Sequence, residues 1–281
     1  MQREPYPSDL TDEQWAILKD LIPPAKPGGC PRKHEMQEIL NALFYHNREG
    51  CSWRGIPHDF GIPWKTIYNY FRAWITDGTW QRIQDALRER VRTAAGRDPN
   101  PRSAYIDSQS VKTAQGGEQR GYDGGKKVQG RKRHIVVDSL GLLLAVIITA
   151  ANVDDARAAQ DLFAEMPGRD YRRLTVVWGD SKYHNYELYR WISVHRRPYQ
   201  ISVVRRPKDA EGWVKLPKRW VVERTFAWLG RYRRLSKDYE KLTETSAAMV
   251  QVSAIQHMLR RLKPKQGGQR FHYKRPRKRA T

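Results

Sequence analysis

The first third of the chain carries apolar residues at helical spacing. Thr11-Asp-Glu-Gln14 is a capping-box sequence, and Trp15, Leu18 and Ile22 follow it on one helical face. A second amphipathic run covers residues 35–49 and ends before Gly50, a residue suited to a helix C-terminus. We therefore expect this part of the chain to be helical.

A third helix is predicted to begin near Pro63, and a fourth spans about 80–95. The third has an apolar face and an outward polar face with Lys65, Asn69 and Arg72. Two helices, a tight connection and a polar-faced third helix fit a helix-turn-helix arrangement. A helical bundle that only packs on its neighbour would give the same pattern. We expect residues 1–97 to form an all-α, helix-turn-helix-like, DNA-binding domain.

After the Pro-containing linker at 97–101, short apolar runs replace the helical pattern. They predict strands at 104–107, 133–138, 142–149, 174–178 and 200–204, the second and third forming a hairpin. Helices are predicted at 154–166, 184–195, 218–235 and 244–262. The alternation implies an α/β domain over 98–262, a mixed sheet flanked by helices. Residues 263–281 are basic, without an acidic residue, and should form a disordered tail that touches phosphates.

Charge narrows the classes of partner. The chain of 281 residues has 52 Lys and Arg against 30 Asp and Glu, a net charge of +22. Such an excess is typical of nucleic-acid binders, in which phosphate neutralisation and counterion release drive association. An acidic protein or a membrane surface is the alternative, but no basic amphipathic anchor is present.

Localisation follows from what the sequence lacks. The longest apolar stretch, 140–151, is too short to span a bilayer, and the N-terminus is polar. Two cysteines, Cys30 and Cys51, suit a reducing compartment, and with His34 and His46 they match no common zinc spacing. We expect a cytoplasmic protein with no membrane partner.

Three carboxylates stand out in so basic a chain. Asp107 lies at the polar end of one apolar run, Asp180 follows another, and Glu223 lies in an arginine-rich helix. If the two strands are neighbours, the aspartates converge at a place where open α/β sheets present ligands. Hard oxygen ligands suit Mg²⁺, and a pair of such ions can promote an in-line phosphodiester displacement. A glutamate in an arginine-rich helix could also be an ordinary ion pair.

Basic residues near these carboxylates are candidate phosphate contacts. Arg219 and Arg231 flank Glu223, and Lys182 follows Asp180. The segment from Gly121 onward predicts a flexible basic strap for DNA, although a solvated charged hairpin is an alternative; its cations are Lys126, Lys127, Arg131, Lys132 and Arg133.

Other carboxylates have simpler interpretations. Asp138 fits a turn residue, and Asp154 and Asp155 precede a helix as caps. No nucleophile motif accompanies His134, His184 or His195, which argues against a nucleophilic hydrolase.

Several segments together resemble one family. They are 10–15, 53–57, 74–80, 106–112, 130–134, 179–183 and 222–229. On these segments the chain resembles bacterial insertion-sequence transposases of the DDE type, in the IS-five family of the IS-four-like group. The group's signature around the glutamate is Tyr, two residues, Arg, three residues, Glu, six residues, Lys. Arg219 and Glu223 fit it, whereas Leu216 replaces the Tyr, and Gly230 replaces the Lys with Arg231 one position later.

The resemblance implies a ribonuclease-H-like fold with Asp107, Asp180 and Glu223 as a catalytic, metal-binding triad. It implies two Mg²⁺ ions, for which Mn²⁺ substitutes, and no small-molecule cofactor. The implied partners are double-stranded DNA, as element ends and target, and further copies of the chain in a dimer or larger assembly. The implied reaction is cleavage at terminal inverted repeats and transfer of the 3′-hydroxyl into target DNA. Two alternatives stay open at this point: a nuclease that never rejoins DNA, and a non-catalytic helix-turn-helix regulator.

Overall fold

A six-stranded mixed sheet forms the centre of the molecule in the computed structural model, which describes residues 3–25, 28, 31–114, 116–166, 171–204 and 218–265. The strands are β1 (Ser103–Lys112), β2 (Gly121–Asp123), β3 (Val128–Asp138), β4 (Leu143–Ala150), β5 (Val176–Gly179) and β6 (Gln200–Val203). β3 pairs antiparallel with β1, β2 and β4, whereas β1, β5 and β6 are parallel neighbours. The predicted mixed α/β sheet is confirmed.

Eight α-helices surround the sheet within the described residues. They are α1 (Asp12–Leu18), α2 (Met36–Glu49), α3 (Trp64–Thr76), α4 (Thr79–Ala94), α5 (Asp155–Ala164), α6 (Tyr186–Val194), α7 (Trp220–Leu229) and α8 (Thr243–Leu262). The capping box at Thr11 is present, with its hydroxyl accepting from the Gln14 amide. Gly50 ends α2 in the left-handed region, at φ 75°.

The sheet is covered on both faces because successive strand residues enter different cores. Tyr105 and Ile135 belong to the core formed with α2, α3, α4, α7 and α8, whereas Ala104, Ile106 and Val136 belong to the core formed with α5 and α6. This alternation follows from the two-residue period of a strand. Strands buried on both faces explain why 142–149 reads as a nearly continuous apolar run.

The N-terminal helices and the sheet share the first of these cores. Helix α8 packs against α4, α2 and β4. Polar contacts cross the same boundary: Asn47 Nδ2 donates to Ser253 Oγ at 2.8 Å, and Arg92 pairs with Asp138 at 2.5 Å. Both members of the Arg92–Asp138 pair are buried, so the ion pair lies between α4 and the β3–β4 turn. The boundary proposed at residue 97 stays a prediction.

Several elements differ from the sequence prediction. The strand expected at 104–107 continues to Lys112, and the strand expected at 133–138 begins at Val128. The helix expected at 218–235 ends at Leu229, and a separate 3₁₀ turn at Arg233–Leu235 follows, since Tyr232 takes an extended conformation. Strand β2 was not predicted; it consists of three residues. The connection from α2 to α3 is not tight but runs from residue 50 to residue 63 through two 3₁₀ turns.

Some predicted features lie outside the described residues: Cys30, Leu216 and the tail from residue 266 onward. The structure contains, in its described ranges, no helix that is both long and apolar enough to cross a bilayer.

Candidate active site

Strand pairing brings the first two carboxylates together. In the parallel register of β1 and β5, Ser103 faces Val176 and Tyr105 faces Trp178. Continued for two more residues, the same register sets Asp180 opposite Asp107. The prediction that these strands are neighbours is therefore confirmed, and both aspartates lie near the C-terminal end of β5, between the interior strands of the sheet.

The backbone fixes the direction of both carboxylates. Oδ1 of Asp107 accepts from the Ser108 amide at 2.7 Å, and Oδ1 of Asp180 accepts from the Lys182 amide at 2.9 Å. The second contact makes Asp180 the N-cap of the 3₁₀ turn Ser181–Tyr183. Each aspartate thus keeps its other carboxylate oxygen for a further partner.

Burial is the main influence on the ionisation of Asp107, and a second carboxylate acts in the same direction. Burial and, to a smaller extent, the nearby Asp180 carboxylate raise the pKa of Asp107 to about 6, against the opposing effects of the Ser108 amide hydrogen bond and the cations of Arg219 and Lys126. Two carboxylates that interact in this way favour binding of a cation, because a cation removes their mutual repulsion.

Helix α7 brings the third carboxylate. Its buried side consists of Val221, Val222, Thr225 and Leu229, and the Thr225 hydroxyl donates to the Gly141 carbonyl at 2.9 Å. Glu223 lies on the other side, with 54% of its side chain exposed. The apolar side thus fixes α7 on the sheet and leaves Glu223 free to bind a ligand.

Arg219 lies between the helix and the strand. Its Nη2 atom is 3.8 Å from Glu223 Oε1 and 3.9 Å from Asp107 Oδ2. Within the described residues, no three His, Cys, Asp or Glu side chains lie close enough together to hold one metal ion. The donors nevertheless fit a hard divalent cation in their chemistry, since all three are carboxylates and the charges of Asp107 and Asp180 interact. The guanidinium of Arg219 supplies the positive charge between Asp107 and Glu223 here.

A fourth carboxylate, Asp155, was misassigned from the sequence. Asp154 is the N-cap of α5 and accepts from the Ala156 and Arg157 amides, as predicted. Asp155 is not a cap: it is buried and binds Ser108 and Lys182. The sequence could not separate the two aspartates, because both precede the same helix and the partners of Asp155 are distant in the chain.

The proposed basic strap is largely a strand. Arg131 and Arg133 are buried in β3; Arg131 donates to the carbonyls of Glu118, Glu240 and Lys241, and Arg133 to that of Leu235. The expectation that these two arginines bind DNA is wrong for this structure, since their guanidinium groups are used inside the fold. Lys132 is also buried, with Nζ 2.8 Å from the Val153 carbonyl. Three consecutive basic residues suggested an exposed loop because their carbonyl partners are not adjacent in the sequence: Arg131 and Arg133 bind carbonyls 102 to 110 residues away, and Lys132 binds one 21 residues away.

The remaining candidate DNA contacts differ in exposure. Lys126 and Lys127 are exposed at the β2–β3 turn, and Arg231 is exposed after α7. On α3, Lys65 and Asn69 are exposed, whereas Arg72 pairs with Glu244 of α8 at 2.6 Å. Lys182 is half exposed.

An antiparallel strand set joined to two parallel strands, with one carboxylate in the middle of β1, one just after β5 and a third on a packed helix, defines a ribonuclease-H-like catalytic core. Comparison with known families agrees with this class. Residues 99–259 match the family model described as "Transposase DDE domain", and residues 10–84 match "Putative transposase of IS4/5 family". The chain belongs to the DDE transposase family.

Two curated relatives are both from Burkholderia cepacia. The chain is 35% identical over 129 residues to a "Putative transposase for insertion sequence element IS402", which covers 44% of this chain and 60% of that relative. It is 27% identical over 119 residues to an "Insertion element IS402 uncharacterized 16.2 kDa protein", covering 40% of this chain and 78% of that relative. The alignment with the first thus spans less than two thirds of that protein's length.

Proposed function

We propose that this protein is a DNA transposase that binds the terminal inverted repeats of an insertion sequence, cleaves them and transfers the freed 3′-hydroxyl ends into target DNA. The main support is geometric: the β1–β5 register, continued by two residues, sets Asp107 opposite Asp180, and Arg219 lies 3.9 Å from Asp107 and 3.8 Å from Glu223. Membership of the DDE transposase family supports it.

In this proposal Asp107, Asp180 and Glu223 supply the oxygen ligands for two Mg²⁺ ions. When bound, Mg²⁺ or Mn²⁺ would activate the attacking oxygen and stabilise the leaving oxygen of an in-line displacement. The side chains of the protein must keep these ligands ionised. Asp107 must be ionised to act as a ligand, and its neighbours Arg219 and Lys126 favour that state.

Arg219 is the best-placed phosphate contact. Its half-buried guanidinium is close to two carboxylates. When a cation neutralises those carboxylates, Arg219 can turn its planar donors toward a phosphate flanking the scissile bond. Lys126 and Lys182 add positive charge near Asp107 and Asp180. The exposed Lys127 follows Lys126, and Arg231 lies beyond the end of α7.

The helical region supplies the element-end contact in this proposal. The exposed Lys65 and Asn69 on α3 form a polar face suited to a DNA groove. Two element ends must be held together for joint insertion, so we propose that the active form is a dimer or larger assembly. We place it with the bacterial nucleoid, where its substrate is.

A cleavage and strand-transfer assay tests this function. The substrate is a duplex that carries the inverted repeats flanking the gene, incubated with target DNA and Mg²⁺ or Mn²⁺. We expect nicked ends and joined products, both lost in Asp107→Asn, Asp180→Asn and Glu223→Gln.

Glu187→Gln is a matched control, because Glu187 is an exposed first-turn glutamate of α6 as Glu223 is of α7. Nicks without joined products would identify a nuclease, and binding without nicks would identify a regulator. Normal cleavage by any triad variant would remove that residue from the triad.

A further inference from the structure

Asp155 is a buried carboxylate that helix capping does not explain. Its neighbour Asp154 performs the N-cap function of α5, with Oδ1 2.9 Å from the Ala156 amide and 3.0 Å from the Arg157 amide. The side chain of Asp155 is only 3% exposed. Burying a charged carboxylate is costly unless it is paired and hydrogen-bonded, so its partners indicate what the group is for.

The partners of Asp155 flank the two catalytic aspartates. The hydroxyl of Ser108, next to Asp107 in β1, donates to Oδ1 at 2.8 Å. The ammonium of Lys182, two residues after Asp180, lies 3.1 Å from Oδ2. One carboxylate on α5 is therefore bonded to both chain segments that carry the catalytic aspartates.

A second lysine and a histidine complete this cluster. Lys132 Nζ lies 3.3 Å from Oδ1 of Asp155, and His134 Nδ1 lies 3.8 Å from the same oxygen. The hydrogen bonds of Ser108 and Lys182, with the charges of Lys132 and Lys182, lower the pKa of Asp155 against the opposing effect of burial. The group is thus held as an anion beside two cations.

Lys182 could pair with Asp180 instead. Its amide already donates to the Asp180 carboxylate at 2.9 Å. Burial lowers the pKa of the Lys182 ammonium, but Asp155 and then Asp180 raise it by more. An ammonium on Asp180 would occupy a ligand oxygen and repel a divalent cation. The position of Lys182 therefore affects whether Asp180 can act as a ligand.

We propose that Asp155 is a positioning residue of the active site, which holds the Lys182 ammonium on α5 and so keeps Asp180 available as a ligand. Ser108 fixes the Asp155 carboxylate to β1, so that Lys182 is held at a set place relative to Asp107. The inference rests on the proposed function, since it assigns a role around the same carboxylates. It adds a residue that touches neither the DNA nor the metal.

The first test needs no metal. Thermal unfolding is measured for Asp155→Asn, Lys182→Met and the double variant. Asn keeps an oxygen to accept from Ser108 and removes the charge, so we expect Asp155→Asn to fold. If Asp155 holds Lys182, adding Lys182→Met to Asp155→Asn lowers the unfolding midpoint by less than Lys182→Met lowers it in the unchanged protein. Strictly additive shifts in the midpoint would overturn the inference.

The second test measures Mn²⁺ affinity by calorimetry on the full chain without DNA. Partners that orient metal ligands typically change affinity about 10–100-fold when mutated, so we expect Asp155→Asn to bind Mn²⁺ at least about tenfold more weakly. The double variant should recover most of that loss, because no ammonium remains to compete for Asp180. Asp154→Asn is the matched control, since Asn also caps helices well.

The outcomes separate the two proposals. Unchanged Mn²⁺ affinity in Asp155→Asn overturns the positioning role. A loss that Lys182→Met does not recover also overturns it, because Asp155 would then be a ligand itself. Failure of Asp107→Asn to weaken Mn²⁺ binding would contradict the proposed function instead, and the unfolding test would still decide whether Asp155 holds Lys182.

Discussion

The guanidinium of Arg219 lies 3.9 Å from the carboxylate of Asp107. This contact joins the start of α7 to β1. The same Nη2 atom is 3.8 Å from Glu223. Arg219 thus provides a positive charge between two carboxylates that the proposed reaction needs. Its loss should affect the site more than the loss of an ordinary surface arginine.

We expect Arg219→Ala to reduce DNA cleavage by about 10²–10³-fold, the range seen when one preorganised donor is removed from an active site. Arg219→Lys should restore only part of the rate, because an ammonium lacks the planar fork of donors that matches a phosphate. Single-turnover cleavage at saturating DNA measures the effect. Arg190→Ala, at an exposed arginine of α6, is the control. Equal rates for Arg219→Ala and Arg190→Ala would show that Arg219 has no special role.

Arg131 should matter for stability rather than for DNA binding. It is fully buried, pairs with the buried Asp238 at 3.3 Å and donates to three backbone carbonyls. Arg131→Met leaves Asp238 without its cation and should cost about 3–5 kcal/mol of unfolding free energy. Urea denaturation measures this, with Lys127→Met as the exposed control. A variant of normal stability that binds DNA weakly would restore Arg131 as a DNA contact.

The exposed polar face of α3 should contribute to DNA affinity. Lys65→Ala removes one exposed cation and should lower the slope of log affinity against log salt by about one. Fluorescence anisotropy on an element-end duplex between low and moderate salt measures the slope. Arg72→Ala offers a contrast, because Arg72 already pairs with Glu244. A salt slope that does not change in Lys65→Ala would exclude α3 Lys65 from the DNA interface.

Acid should destabilise the fold partly through His257. Its ring stacks on Trp228 at 4.4 Å between centroids, and burial, with the charge of Arg261, lowers its pKa to about 4 from an ordinary value of 6.5. In the unfolded chain His257 is protonated below about pH 6.5, whereas in the folded chain it is protonated only below about pH 4. This group's contribution is present above that window and is lost as the pH falls through it.

The substitution His257→Phe keeps the stacking and removes the titration. We expect it to reduce the acid-induced loss of unfolding free energy by about 1–2 kcal/mol between those limits. Urea unfolding at several pH values measures the difference, with His195→Phe at an exposed histidine as the control. The same acid sensitivity in His257→Phe and the unchanged protein would show that another group is responsible.

Local patterns predicted most of the elements and two of the site's strands. Asp107 and Asp180 were identifiable because each ends or follows an apolar run, and their convergence needed only that the two strands be parallel neighbours. The start of α1 and the end of α2 were predictable because capping sequences act within a few residues.

Distant partners account for what the sequence pattern misassigned. The sequence around Arg131 and Arg133 suggests an exposed basic strap. In the structure, carbonyls of residues 235–241 lie beside β3 and bind both guanidinium groups. Asp155 looks like a helix cap until Ser108 and Lys182 are placed beside it. In both cases the deciding neighbour is far away in the chain, and residue spacing carries no information about it.

The shared core between the N-terminal helices and the sheet bears on the distance along DNA between the recognised sequence and the cleaved bond. Helix α8 packs on α4 and β4 together, and the buried Arg92–Asp138 pair joins α4 to the sheet. The polar face of α3 and the carboxylates of β1 and β5 are therefore parts of one packed body, without a flexible tether between them. If α3 recognises the element end, the dimensions of this body fix the number of base pairs between the recognised sequence and the cleaved phosphodiester bond.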